Sequence, residues 1–252
     1  MIIEVGKLFR REVVKKGNFL AFLILSIIPL SCLANYSPIV SIGFGADSIN
    51  RHLNQNITII SPYQNTYNSG GNDLQPVGSL FVGIESSFFQ SYFGQLGVGY
   101  YQDQAFTITG SIYQFTDPSL NNLAYQYHLK NRRLLLETKL LSTFQEIFHP
   151  YITAGIGEGL NQAYQYQEIP VDTDSVPMSI GFSNRTYHTF TYQVGLGLDV
   201  DITKNTRFGA GYRYLDLGRA GLGTTPLQDG NQTIKYNHLH ANEFLMQLSY
   251  KF

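Results

Sequence analysis

Beyond residue 34 the chain has no cysteine, and none of its apolar runs approaches the length of a membrane-spanning helix. The first absence excludes a disulfide framework and any cysteine-held metal. The second excludes a helical membrane protein. Positive charge is also scarce. Five of the 17 Lys and Arg and two of the 18 Asp and Glu fall in residues 1–34, so residues 35–252 hold 12 basic and 16 acidic side chains, a net of −4. A nucleic-acid binder needs a basic face, and that balance argues against one. No phosphate-cradling glycine loop and no catalytic-triad motif is visible. No cofactor or metal is expected.

What the chain does have is alternation. At its C-terminus Phe244, Met246, Leu248, Tyr250 and Phe252 interleave with Glu243, Gln247, Ser249 and Lys251, and Leu245 is the one exception. Period two is the signature of a strand with two unlike faces. Glu, Gln and Lys do not suit the covered face of a soluble sandwich. They suit a closed barrel whose apolar face meets lipid and whose polar face lines the lumen. Mean hydropathy is slightly below zero, as expected when each strand shows lipid only half of its residues.

The N-terminus reads as an export signal. Lys7, Arg10, Arg11, Lys15 and Lys16 form a basic region, and residues 19–30 form an apolar run too short for a comfortable membrane span. Small residues Cys32 and Ala34 place cleavage after Ala34, giving a signal peptide over 1–34 and a barrel over 35–252. Lipoprotein processing at Cys32 is the alternative, with Pro29 badly placed for it; a retained anchor is another.

Alternation predicts strands over 38–47, 76–86, 92–114, 125–141, 150–166, 186–201, 206–217 and 237–252, the third long enough to continue above the membrane. Residues 87–91, 142–149 and 202–205 are short turns, and 116–124 is intermediate. Residues 48–75, 167–185 and 218–236 are long and polar. Short turns at one end and long loops at the other are what an outer-membrane barrel shows. The expected fold is all-β: an eight-stranded antiparallel up-and-down transmembrane β-barrel. A hairpin around residues 57–60 would make ten strands if it entered the membrane.

Residues 209–216, reading GAGYRYLD, and the terminal SYKF of residues 249–252 resemble small Gram-negative outer-membrane β-barrels of the OmpA/OmpX-like, porin-family group. That resemblance implies an outer-membrane location. It also implies that Phe244, Leu248, Tyr250 and Phe252 form the C-terminal signal read by the barrel assembly machinery. Lipid and lipopolysaccharide would be its surroundings, and an extracellular or host ligand would meet the outer loops.

Candidate function resides in the inward residues. Glu85, Arg133, Glu137, Lys139, Asp199, Asp201, Arg207, Arg213, Glu243 and Lys251, with Gln95 and Gln247, line the expected lumen. Eight strands leave an interior that side chains can fill, and opposite charges there should pair; Arg213 with Glu243 or Asp199 is the expected pair. The network reads as a plug, and otherwise as the lining of a narrow porin-like channel. His238 and His240 share the outward face. No serine stands at a matching spacing for a lipid A-modifying hydrolase, and Thr189 points away from His188. Metal capture by His238, His240 and a loop carboxylate is a minor alternative. Asp172, Asp174 and Asp229 read as solvated loop residues rather than a calcium site. Glu158 falls on the outward face, where the headgroup layer could receive it. The expectation is a non-enzymatic surface barrel whose loops are its interaction surface.

Overall fold

The computed structural model describes residues 36–89, 91–171, 181–224 and 231–252. The expected signal peptide (1–34) and Asp172, Asp174 and Asp229 lie outside the described residues. The described residues form thirteen strands: β1 (Tyr36–Asn50), β2 (Leu53–Ile60), β3 (Tyr63–Ser69), β4 (Asn72–Phe89), β5 (Tyr92–Asp103), β6 (Phe106–Tyr113), β7 (Leu123–Ser142), β8 (Phe148–Pro170), β9 (Arg185–Asp201), β10 (Thr206–Asp216), β11 (Ala220–Gly221), β12 (Lys235–Tyr236) and β13 (His240–Lys251).

Eight of them close a ring in the order β7-β5-β4-β1-β13-β10-β9-β8, with β8 pairing back to β7. The registers are antiparallel and keep outward apolar residues side by side. Phe44 pairs with Met246, Phe208 with Leu248 and Val200, and Leu136 with Val98 and Ile156. The result is a continuous lipid-facing band in which Ile42, Phe44, Val82, Leu136, Leu196 and Phe244 are all exposed on the outer wall. A one-residue slip in any strand would turn that band inward.

The ends of the ring differ from the expectation. Most of residues 48–75 are sheet rather than loop: β1 continues to Asn50, β2 and β3 form a hairpin, and β4 starts at Asn72. The hairpin does not enter the ring, which stays at eight strands; β3 pairs with β6 instead. The single long strand expected over 92–114 is broken after Asp103. Below the break β5 pairs with β4 and β7; beyond it β6 pairs with β3 and β7. The hairpin therefore takes the place beside β6 that β4 has vacated. The intermediate connection at 116–124 holds two 3-10 turns, Gln114–Thr116 and Pro118–Leu120. β7 and β8 run longer than expected, and β11 pairs with β12 inside the segment expected as the last loop.

β7 shows how one alternating strand serves two environments. Its odd residues point inward along the whole length. In the lower half Leu134, Leu136 and Leu140 face out and Arg133, Glu137 and Lys139 face in. In the upper half Gln126, His128, Lys130 and Arg132 face out and Leu123, Tyr125, Tyr127 and Leu129 face in. The polarity inverts because lipid is replaced by water outside. Above the membrane band the structure is thus a dome with a conventional apolar interior, built from Ile49, Ile57, Ile59, Tyr67, Phe106, Ile108, Tyr125, Phe182, Leu217 and Leu239, among others.

A bulge adjusts the dome wall. Between Gln126 and His128 of β7 the register shifts, and opposite it Gln165 of β8 adopts φ 56°, its N–H donating to Asn184 Oδ1 at 2.9 Å. The extra residue reverses the parity of β8, so Tyr166 and Glu168 turn toward the dome core. Burial pushes the Glu168 carboxyl above its ordinary value, partly offset by the hydrogen bond from Tyr166 Oη at 2.7 Å. Because the folded dome disfavours the carboxylate, Glu168 costs nothing below its unfolded pKa. Stability then falls as pH rises through the folded value. Glu168→Gln is expected to remove this dependence and slow proteolysis of the dome several-fold at neutral pH, while changing little in acid. Limited proteolysis across that pH range checks it.

Candidate functional site

Three layers of polar side chains cross the lumen. At the end nearest the short turns, Arg207 Nη1 donates to Glu85 Oε2 at 2.7 Å and Arg207 Nε to Asp201 Oδ1 at 2.9 Å. Gln95 donates to the same Glu85 oxygen at 2.8 Å, and Lys251 Nζ lies 3.4 Å from Oε1. In the middle, Lys139 Nζ sits 3.1 Å from Asp199 Oδ2 and 4.1 Å above the Tyr151 ring. Gly197 and Gly211 make room for that ring, since a Cβ there would lie 2.4 and 2.2 Å from Tyr151 Oη.

The top layer is organised by Arg133. Its guanidinium meets Asp103 at 3.1 Å, Asp47 at 3.2 Å and Glu243, all of them fully buried. Arg213 lies 3.5 Å from Glu243 Oε1 and donates to Tyr101 Oη. The Tyr101 ring also lies beneath the Arg133 guanidinium, 4.6 Å away. β7 and β13 occupy opposite positions in the ring, as do β10 and β5. Arg133–Glu243 and Arg213–Tyr101 therefore span the lumen from wall to wall. Beside these layers lie two cavities of about 10 Å³, one by Gln95, Glu137 and Gln247 and one by Glu85, Asn205 and Ser249. Each holds about one water.

All ten charges expected in the lumen are placed on its lining, and Arg213 and Glu243 are cross-strand neighbours. Asp199 does not meet Arg213; it pairs with Lys139. Glu137 is buried beside Arg213 in the cavity lining. Asp47, Asp103, Tyr101 and His149 also lie in the lumen, outside the expected set. Parity was the available signal, because Tyr101 and Asp103 fall in step with Gln95, and His149 with Tyr151. Phe244, Leu248, Tyr250 and Phe252 all face outward, with Tyr250 and Phe252 in an edge contact at 4.9 Å.

On the outer wall, Glu158 has a hydrogen-bond partner: His188 Nδ1 stands 2.7 Å from its Oε1. Both side chains are more than half exposed, so exchanging either for alanine should move stability by less than about 1 kcal/mol. His238 faces Asp216 at 2.9 Å, and His240 faces the Tyr214 hydroxyl at 2.9 Å. Among the described residues no three His, Cys, Asp or Glu come together as a metal set. One chain of contacts has the order of a nucleophile, base and acid: Thr143 Oγ1 to His149 Nδ1 at 3.1 Å, and His149 Nε2 to Asp201 Oδ2 at 2.9 Å. His149 is buried, however, and the cavity beside Asp201 is water-sized. No substrate could reach that imidazole.

Comparison with known proteins agrees with this geometry. A family described as outer membrane protein beta-barrel domain matches residues 20–252. No curated protein matches in sequence. Neisserial surface protein A shares 12% identity at a TM-score of 0.43, over 86% of this chain and 97% of its own. The attachment invasion locus protein Ail of Yersinia pestis, with the heparin analogue sucrose octasulfate, shares 12% at 0.41, over 86% and 99%. OprG of Pseudomonas aeruginosa shares 15% at 0.48, over 86% and 97%.

Proposed function

We propose that this chain, which belongs to the outer membrane β-barrel protein family and so resides in a Gram-negative outer membrane, is a non-conducting, non-enzymatic barrel that displays its dome as an interaction surface. The observation that carries the reading is the Arg133 layer. A guanidinium held by three buried carboxylates, with Arg133–Glu243 reaching from wall to wall, supports a lumen closed to hydrated ions. Above it the apolar dome core adds a second closure, with Tyr127, Leu129, Leu217 and Leu239 buried. A porin-like reading would need the same charges to act as a solvated filter, whereas all of them except Glu137 stand in ion pairs. A lipid-hydrolysing reading needs a serine hydroxyl beside an outward histidine, whereas His188, His238 and His240 meet Glu158, Asp216 and the phenol of Tyr214.

Within the same proposal, residues 1–34 direct export and are removed after Ala34. The assembly machinery reads Phe244, Leu248, Tyr250 and Phe252, which lie open on the outer wall of β13 before membrane lipid or lipopolysaccharide covers them. No nucleic acid or cofactor is involved.

Refolded protein, first shown to migrate as a heat-modifiable barrel on a gel, is expected to give no current steps across a planar bilayer. Reproducible single-channel steps from such a sample would overturn the sealed-lumen reading and promote the inward charges to a filter.

A further inference from the structure

The tip of the dome carries a cleft that the fold itself does not require. Ile59, Ile60, Tyr63, Asn65, Gln114 and Phe115 line a space of about 350 Å³ where the β2–β3 hairpin meets the first 3-10 turn. That size falls within the range of small-ligand pockets, about 300–1,000 Å³. Ile60, Tyr63 and Phe115 are 48, 58 and 55% exposed. The apolar core of the dome takes Ile57, Ile59 and Tyr67 from the same hairpin, so the tip aromatics are not needed to fill it.

These rings are nevertheless held in place. Tyr63 and Phe115 meet edge to face at 5.4 Å and 78°. Phe115 and Thr116 both adopt the left-handed region, at φ 54° and 59°, which non-glycine residues keep only where their surroundings fix it. Asn65 Oδ1 accepts the Phe115 N–H at 3.2 Å, and Asp117 N–H donates to the Gln114 carbonyl at 3.0 Å. Asp117 in turn accepts from Ser119 N–H at 2.9 Å and Ser119 Oγ at 2.8 Å. The side-chain amide of Gln114 has no hydrogen-bond partner among the described residues, and it stands at the rim.

We propose that this cleft binds one neutral pyranose ring of a surface glycan. An aromatic wall suits the C–H face of such a ring, and amide groups suit its hydroxyls, each of which can donate and accept. The lining has no charged side chain, so a phosphate, sulfate or uronate would lose its hydration without gaining a partner. A wholly apolar ligand would leave the Gln114 amide desolvated and unpaired. The uncharged pyranoside is the ligand that complements both halves of the cleft. This inference rests on the dome being the interaction surface and names the ligand class for it.

The test uses the full barrel refolded in lauryldimethylamine oxide, a detergent without a sugar head. Saturation-transfer NMR is recorded with methyl β-D-glucopyranoside and methyl β-D-galactopyranoside, and with cyclohexanol as an apolar ring lacking the hydroxyl rim. At least one glycoside is expected to receive saturation at its ring C–H protons, well above cyclohexanol. Phe115→Ala and Tyr63→Ala should each weaken it tenfold or more. Phe115→Leu, which keeps apolar bulk but no ring face, should weaken it as well, and all three should retain heat-modifiable migration. Equal binding of cyclohexanol, silence from both glycosides, or a signal that survives Phe115→Ala overturns the proposal. Adhesion of cells expressing the barrel to host-cell or glycan-coated surfaces separates the two readings. If removing the hairpin abolishes adhesion and Phe115→Ala does not, the glycan site fails while the dome stands. If hairpin removal changes nothing, the dome reading fails.

Discussion

Replacing Arg133 with alanine is expected to cost the barrel about 3–5 kcal/mol at neutral pH, the range for removing one partner of a buried ion pair. The reason is what stays behind rather than what is lost. Asp47, Asp103 and Glu243 come from β1, β5 and β13 and converge on one guanidinium with no exposed side-chain area. Without it, three carboxylates face one another in a closed space, and Arg213, 3.5 Å from Glu243, serves only one of them. Urea titration in detergent micelles, followed by the heat-modifiable band, should show a lower midpoint and a smaller refolded fraction. Two further experiments fix the cause. Refolding in acid, where carboxyl groups take up protons, should recover part of the loss. Combining Arg133→Met with Asp47→Asn and Asp103→Asn should recover more, because the two carboxylates left without a cation are neutralised while Glu243 keeps Arg213. Equal loss in this combination would mean that Arg133 acts through packing.

The membrane half of this fold was legible in the sequence, and the reason is the persistence of period two. Along β9, and along β13 apart from Leu245, the alternation holds, so each residue's face follows from counting. The same counting would have placed Tyr101, Asp103 and His149 in the lumen, since each keeps step with a neighbour already assigned there. Counting cannot say which residues meet across the lumen. That depends on ring closure and stagger, which set β7 opposite β13 and brought Arg133 to Glu243 rather than leaving each charge to its adjacent strand. It also explains why Asp199 found Lys139.

The dome was less legible because its rule is the reverse of the one below. Gln126, His128, Lys130 and Arg132 keep the outward parity of Leu134 and Leu136 but have the composition of a soluble surface. Apolar-out counting therefore gives no signal over residues 48–75, expected as a loop, while 104–114 and 125–132 still fall in expected strands. The β2–β3 hairpin was further disguised by its polar β3, YQNTYNS, whose place is set by β6, a strand more than 35 positions further along the chain. The reversal at Gln165 needed a bulge, and nothing local in YQYQE announces one. A wall of Tyr and Gln offered no polarity contrast to count by.

Excising residues 52–70 and joining Arg51 to Gly71 through an Asn-Gly turn is expected to dismantle the dome while leaving the ring intact. The neck is suited to the cut, since Arg51 N–H already donates to the Gly71 carbonyl at 3.1 Å, and Asn-Gly is a favoured two-residue hairpin connection. The excision removes Ile57, Ile59 and Tyr67 from the apolar core and deprives β6 of β3, leaving β7 as its one neighbour among the strands named. At about 1.5–3 kcal/mol per buried apolar side chain, on the order of 5 kcal/mol of burial is withdrawn, all of it above the membrane band. Residues 104–122 should become open to added protease on whole cells, while heat-modifiable migration and the ring's resistance remain. The planar bilayer should stay silent, because the Arg133 layer lies below the cut and keeps its three carboxylates. Current steps appearing only after the excision would assign the seal to the dome, and the buried ion cluster would then be a register device rather than a plug.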